Sequence, residues 1–292
     1  MRVVRVLPIK LLAMMVLALA SGPARAVLLG STDGSGNTTA PADDPGWDRV
    51  GTVNGSTGVY LGDGFVLSAQ HVDAGNFVLG STTYNLDLAY TPQYLQTQSG
   101  PDAYADLVIF RIVGGPTTSL LPIYGGSSEI GMTATTIGYG LDRGAEVPDQ
   151  GWLWGSTATK RWGQNVIDAT FTISEGASFY ESLVSDFDRV GGFGSGLAQE
   201  AHAATGDSGG ALFIKDGVVW KLAGIMTAVT ESGRSFYDND TVLPGNQPDR
   251  LFSVRLSAYD DWILTTIPEP GTSTLMLLGG GLLGAHLLRR RK

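Results

Sequence analysis

The chain has 292 residues, 43% of them hydrophobic and 16% charged, with a formal net charge of −9 at pH 7. That hydrophobic share can build a core and excludes a disordered chain, while the acidic balance repels phosphate backbones, so no nucleic-acid partner is expected. Cysteine is absent, which excludes disulfides and thiolate metal sites. In chain order, residues 1–26 read as a secretory signal: Arg2, Arg5 and Lys10 make a positive start, Leu11 to Ala20 is apolar, and Ala24-Arg25-Ala26 offers small residues for signal peptidase. Residues 27–46 are rich in Gly, Ser, Thr, Asp and Pro and read as an extended or mobile lead-in.

From Trp47 onward, short apolar or alternating runs recur at 58–61, 65–67, 76–79, 107–110, 133–138, 166–173, 211–214 and 218–227. Turns such as Gly62-Asp63-Gly64 and Lys215-Asp216-Gly217 separate them. Many short strands with regular turn signals predict an antiparallel all-β sandwich or barrel. Stretches 140–163 and 230–250 are polar and glycine-bearing and read as long loops. Helical spacing occurs only at 255–265, where Leu256, Tyr259, Trp262 and Ile263 share a face.

The C-terminal end carries Pro268-Glu269-Pro270, an apolar or small-residue run over 271–288, and then Arg289-Arg290-Arg291-Lys292. Such a run is long enough to span a bilayer with the basic cluster on the cytoplasmic side. The three parts together resemble the PEP-CTERM sorting signal of Gram-negative bacteria. The resemblance implies recognition by an exosortase, removal of the tail, and delivery to the envelope, cell surface or extracellular matrix. Association with the inner membrane through 271–288 would be transient or permanent accordingly. The chain thus divides into a signal at 1–26, one folded domain at 27–266 and a sorting tail at 267–292.

The stretch that carries chemistry is Thr205-Gly206-Asp207-Ser208-Gly209-Gly210. Its glycines permit a tight turn whose N–H groups stay unpaired and suit an anionic oxygen. Ser208 in that turn becomes a nucleophile if a base lies within reach. The chain has three histidines; His286 lies in the tail, so the base is His71 or His202. His71 follows the apolar run Phe65-Val66-Leu67 and the small residues Ser68-Ala69. Asp106 opens a buried-strand pattern, Asp106-Leu107-Val108-Ile109-Phe110, where a carboxylate needs a partner. Asp102, in a more polar turn, is its competitor.

Taken together, Leu67-Ser68-Ala69-Gln70-His71, Asp106 to Ile112, and Gly206-Asp207-Ser208-Gly209-Gly210 resemble the histidine, aspartate and serine segments of trypsin-like (chymotrypsin-fold) serine proteases. Their order His, Asp, Ser is also that family's, and Leu256 to Ile263 is similar to its closing helix. The resemblance spans roughly 47–266 and implies two antiparallel β-barrels, a C-terminal helix and an active site in the cleft between the barrels. It implies a serine endopeptidase acting on protein or peptide, with Ser208 as nucleophile, His71 as base and Asp106 as orienter. Gly206 and Ser208 would supply the oxyanion donors. His202, six residues before Ser208, falls where the family has its pocket floor, and Thr227 falls on the strand bordering the substrate. Asp207 would pair with a new amino terminus at Val27, freed by signal cleavage. Val72 and Ala204 replace two of the family's cysteines. A catalytically silent binding module or an esterase with the same triad are the alternatives. No metal or cofactor site is visible, and Asp238-Asn239-Asp240 reads as solvated surface charge.

Overall fold

Runs rich in β-branched and aromatic residues, cut by glycine and aspartate turns, become strands throughout the chain. The computed structural model describes residues 27–31, 33–97, 103–176, 178–192, 196–237 and 247–267. The signal at 1–26, the tail from 268 onward with its apolar run and His286, Asp102, and Asp238-Asn239-Asp240 lie outside the described residues.

The first half carries β1 Leu28–Leu29, β2 Val50–Val53, β3 Ser56–Gly62, β4 Phe65–Ser68, β5 Phe77–Leu79, β6 Thr82–Tyr84, β7 Gln93–Gln96 and β8 Tyr104–Arg111. The second half carries β9 Thr133–Gly138, β10 Leu141–Val147, β11 Gly151–Ala158, β12 Arg161–Val166, β13 Ala169–Glu175 and β14 Ser178–Asp186. It continues with β15 Ala201–His202, β16 Ala211–Asp216, β17 Val219–Val229, β18 Arg234–Phe236, β19 Arg250–Arg255 and the helix α1 Asp260–Thr266. The all-β prediction with one closing helix holds.

Within the first half the strands pair in the order β8-β4-β3-β2-β5-β6, with β7 on the other side of β8. A bridge between Leu86 and Ile112 draws the far end back toward β8. The second half pairs in the order β12-β9-β16-β17-β19-β14. Its ends are tied by Asn165, whose side-chain amide donates to Asp186 O at 2.8 Å and Ala201 O at 3.1 Å. A parallel pair, Tyr104 with Ser178, joins the strands of the two barrel halves, so the sheet runs on from one to the other. Leu107, Val108, Ile109 and Phe110 of β8 are fully buried and pack with Ile137, Phe213, Ile225 and Val254 from the second half. Burying each such side chain contributes about 1.5–3 kcal/mol.

Four expectations need correction. The run at 166–173 is not one strand: Ile167 and Asp168 separate β12 from β13. The two stretches read as loops hold β10, β11 and β18, which form a three-stranded sheet of their own. Their polar, glycine-bearing composition hid it, because most of their side chains face solvent on one side. The lead-in is extended but docked. Val27, Leu28 and Leu29 are fully buried, Asn37 bonds Trp162 O and the Gln199 side chain, and Arg161 donates to Gly36 O at 2.7 Å. Finally, the helix begins only at Asp260, since Arg255 still belongs to β19 and Leu256–Ala258 form a 3-10 turn.

Candidate active site

The apolar run Phe65–Ser68 ends in small residues, and the chain then makes a 3-10 turn over Gln70–Val72. Val72 turns into the core, leaving the His71 side chain half exposed. Strand β8 runs antiparallel to β4 with Ser68 opposite Val108. Asp106, two residues beyond that pair on the same face, therefore reaches the turn. Its carboxylate holds His71 twice: Oδ2 lies 2.7 Å from Nδ1, and Oδ1 accepts from the backbone N–H at 3.0 Å. A carboxylate there fixes the tautomer with its proton on Nδ1 and leaves Nε2 as the free base. The Asp106 hydrogen bond, opposed by burial and aided by its charge, raises His71 above its ordinary 6.5.

The serine turn is set by its own backbone and by the other barrel. Asp207 N–H donates to Ala204 O, Gly209 N–H to Met226 O and Gly210 N–H to Asp207 O, each within 2.8–3.0 Å. The N–H groups of Gly206 and Ser208 donate to no acceptor among the described residues. Gly209 has a φ of +83°, and a Cβ there would strike the Thr57 carbonyl and the Ser68 hydroxyl, so only glycine fits. Asp207 is fully buried and accepts from Gly140 N at 2.6 Å and Ala204 N at 2.9 Å. Burial, with those two bonds opposing it, pushes its carboxyl up from 3.8 to about 7.

Ser208 lines a cavity of about 130 Å³ walled by Ala203, Ala204, Met226, Thr227 and Leu251, with no charged side chain in its lining. His71, Asp106 and Tyr180 line an adjoining groove that shares Ala228 and Val229 with that cavity. The structure thus brings Asp106 to His71 and sets Ser208 next to their groove. Among the described residues it draws no hydrogen bond between the Ser208 hydroxyl and the imidazole. Such bonds are often loose before substrate arrives.

Thr227 stands on the cavity wall, its hydroxyl 3.1 Å from Tyr180 OH and 3.3 Å from Phe252 O. His202 does not line the cavity. It pairs with Leu28 in the β1–β15 ladder, and its ring turns the other way, with Nδ1 2.8 Å from Ser235 Oγ and the Phe187 ring 5.4 Å away. Complete burial lowers it to about 4. The strand ends at His202, and the residues just beyond it, Ala203 and Ala204, line the cavity instead. Val27 packs with Leu29, Ala201, Ala203 and Met226. Met226 in turn lies beside Asp207, because a Cβ on Gly138 would touch both side chains.

A family model described as Trypsin matches residues 35–243, well over half the chain and inclusive of His71, Asp106 and Ser208. The chain belongs to the trypsin family. It is therefore a trypsin-like protease by fold and domain. A PEP-CTERM protein-sorting motif matches residues 266–292. Similar solved structures include an inactive form of Rv3671c from M. tuberculosis H37Rv, 13% identical with a TM-score of 0.45, covering 80% of this chain and 99% of that one. The NS6 protease from murine norovirus 1 is 14% identical with a TM-score of 0.42, covering 74% and 93%. No curated protein matches the chain.

Sequence reasoning passed over Thr57 and Tyr180. Neither sits in a motif, and each acquires its place only when distant segments meet: Thr57 bonds Gly206 across 149 positions.

Proposed function

We propose that the protein is an exported serine endopeptidase that cleaves peptide bonds through an acyl-enzyme. The observation that carries this reading is the grip of the largely buried Asp106 carboxylate on both the ring and the backbone of His71, beside the cavity lined by Ser208. His71 Nε2 takes the Ser208 hydroxyl proton as Oγ attacks the acyl carbon, then gives it to the leaving amine. The unpaired N–H groups of Gly206 and Ser208 receive the developing oxyanion. Water repeats the sequence to release the acid. Thr227 borders the scissile residue, and the uncharged cavity takes a small or medium apolar side chain, which argues against basic or acidic ones.

Activation follows from the burial of Val27. Signal cleavage after Ala26 puts an ammonium at Val27, which packs with Met226, the neighbour of the Asp207 carboxylate; that carboxylate accepts from two backbone N–H groups, and its ion pair with the ammonium holds the turn. The export signal and the PEP-CTERM tail deliver the 27–266 domain to the envelope or surface, with signal peptidase and an exosortase as processing partners. The test is a fluorophosphonate probe followed by mapping of the labelled peptide. Labelling at Ser208, abolished in Ser208→Ala, is the expected result; a processed wild-type protein left unlabelled defeats the reading.

A further inference from the structure

The serine turn is held by a residue of the opposite barrel. Thr57 in β3 is fully buried and touches the turn at both residues whose N–H groups are unpaired. Its Oγ1 donates to Gly206 O at 2.7 Å, and its backbone N–H donates to Ser208 O at 2.9 Å. The same Oγ1 accepts from Tyr139 N–H at 3.0 Å, so both its donor and its acceptor capacity are used within the site. The Thr57 carbonyl accepts from Ser68 Oγ at 2.8 Å, and Ser68 ends the strand that leads into His71. A continuous set of bonds therefore runs from the strand before the base, through Thr57, to the carbonyls of the two residues whose N–H groups are the oxyanion donors.

We infer that Thr57 is a positioning residue for the reaction: its hydroxyl fixes the orientation of Gly206, and thereby of the oxyanion hole, relative to His71. Gly206 adopts a φ of +97°, a conformation that glycine enters freely and leaves as freely. Among the described residues the Thr57 hydroxyl is the only group bonded to the Gly206 carbonyl. The peptide that carries the Gly206 N–H is held on one side, where Thr205 O accepts from Leu141 N–H at 2.9 Å, and the Thr57 hydroxyl holds the next peptide; without it the turn can shift about Gly206 and carry the two donors out of register, while the Ser208 carbonyl stays tied through the Thr57 backbone. The hydroxyl touches neither substrate nor the reacting atoms, so its effect falls on transition-state stabilisation and not on binding.

This inference rests on the proposed serine-protease reading, and the experiment separates the two. Thr57→Val keeps the shape and removes the hydroxyl; Thr57→Ser keeps the hydroxyl. Active sites are counted by fluorophosphonate titration, and kcat, KM and the affinity of a peptide boronate, whose tetrahedral oxygen occupies the oxyanion hole, are measured per active site. Complete loss of one oxyanion donor costs on the order of 100–1,000-fold, and a misoriented one less. Thr57→Val is expected to lose about 10–100-fold in kcat with little change in KM, and to lose boronate affinity in parallel. Thr57→Ser is expected to stay within about 3-fold of wild type on both readouts. A Thr57→Val enzyme with wild-type kcat and boronate affinity per site overturns the inference. So does a Thr57→Ser enzyme with lowered kcat per site, a result readable even if Thr57→Val fails to fold. A wild-type protein that neither labels nor turns over overturns the protease reading itself, and the role of Thr57 in the reaction with it.

Discussion

The distance of 2.7 Å between His71 Nδ1 and Asp106 Oδ2 gives the imidazole both its tautomer and its basicity. Because that bond raises His71 above 6.5, the imidazolium persists to higher pH than usual. Turnover needs neutral His71, so the acid limb of kcat/KM is expected to lie above 6.5 and to move down in Asp106→Asn. The same substitution is expected to cost on the order of 10,000-fold in kcat, since the amide no longer selects the right tautomer. An acid limb that stays in place in Asp106→Asn contradicts the assignment. The meeting of Asp106 with His71 was legible only when their segments were taken together with the serine turn, because neither local pattern alone separates a site residue from a structural one. His202 was misplaced because residue spacing fixes the backbone position but not the face, and the ring turned to Ser235.

Strands with continuous apolar runs, such as β8 and β16, were readable because both faces are covered. By contrast β14 carries buried Ser182 and Ser185, whose polarity masks its place between β13 and β19. The hairpin β10–β11 mixes charged and small residues and gains its partner β18 from far along the chain, as when the Trp154 indole reaches Ser235 Oγ across 81 positions. The closing helix is anchored by a device with no sequence signature. Arg255 donates to both oxygens of the buried Glu129 at 2.8 Å, and Ser257 joins them at 2.5 Å. Removing one member of such a pair strands a buried charge at a cost of about 3–5 kcal/mol. Arg255→Ala should lower the urea midpoint accordingly, with an unchanged m-value. A loss below about 1 kcal/mol would place the pair among inconsequential surface contacts.

The lead-in is joined to the sheet of β10 and β11. Arg143 ties them: it stacks on Trp152 at 4.1 Å and donates to Leu29 O and Ser31 O. Disulfides are replaced by packing and backbone bonds, as where Val72 fills the core and Ala204 exchanges bonds with Asp207. Under the proposed activation, Asp207 links processing to stability. Without a cation its folded pKa of about 7 exceeds 3.8, so the fold favours the neutral acid. That contribution is complete below pH 4 and is lost as pH rises through 7. A protein extended ahead of Val27 should therefore lose stability between pH 4 and 7. A protein beginning at Val27 should not, because its ammonium keeps the carboxylate charged. Equal pH profiles and equal activity in the two forms would dismiss the activation proposal.

The decisive measurement is turnover of a peptide amide bearing alanine or valine before the scissile bond, by protein beginning at Val27, with Ser208→Ala as the control. We expect turnover by the wild type and a loss on the order of a million-fold in the variant. Absence of turnover in the wild type, or its survival in Ser208→Ala, would contradict the account.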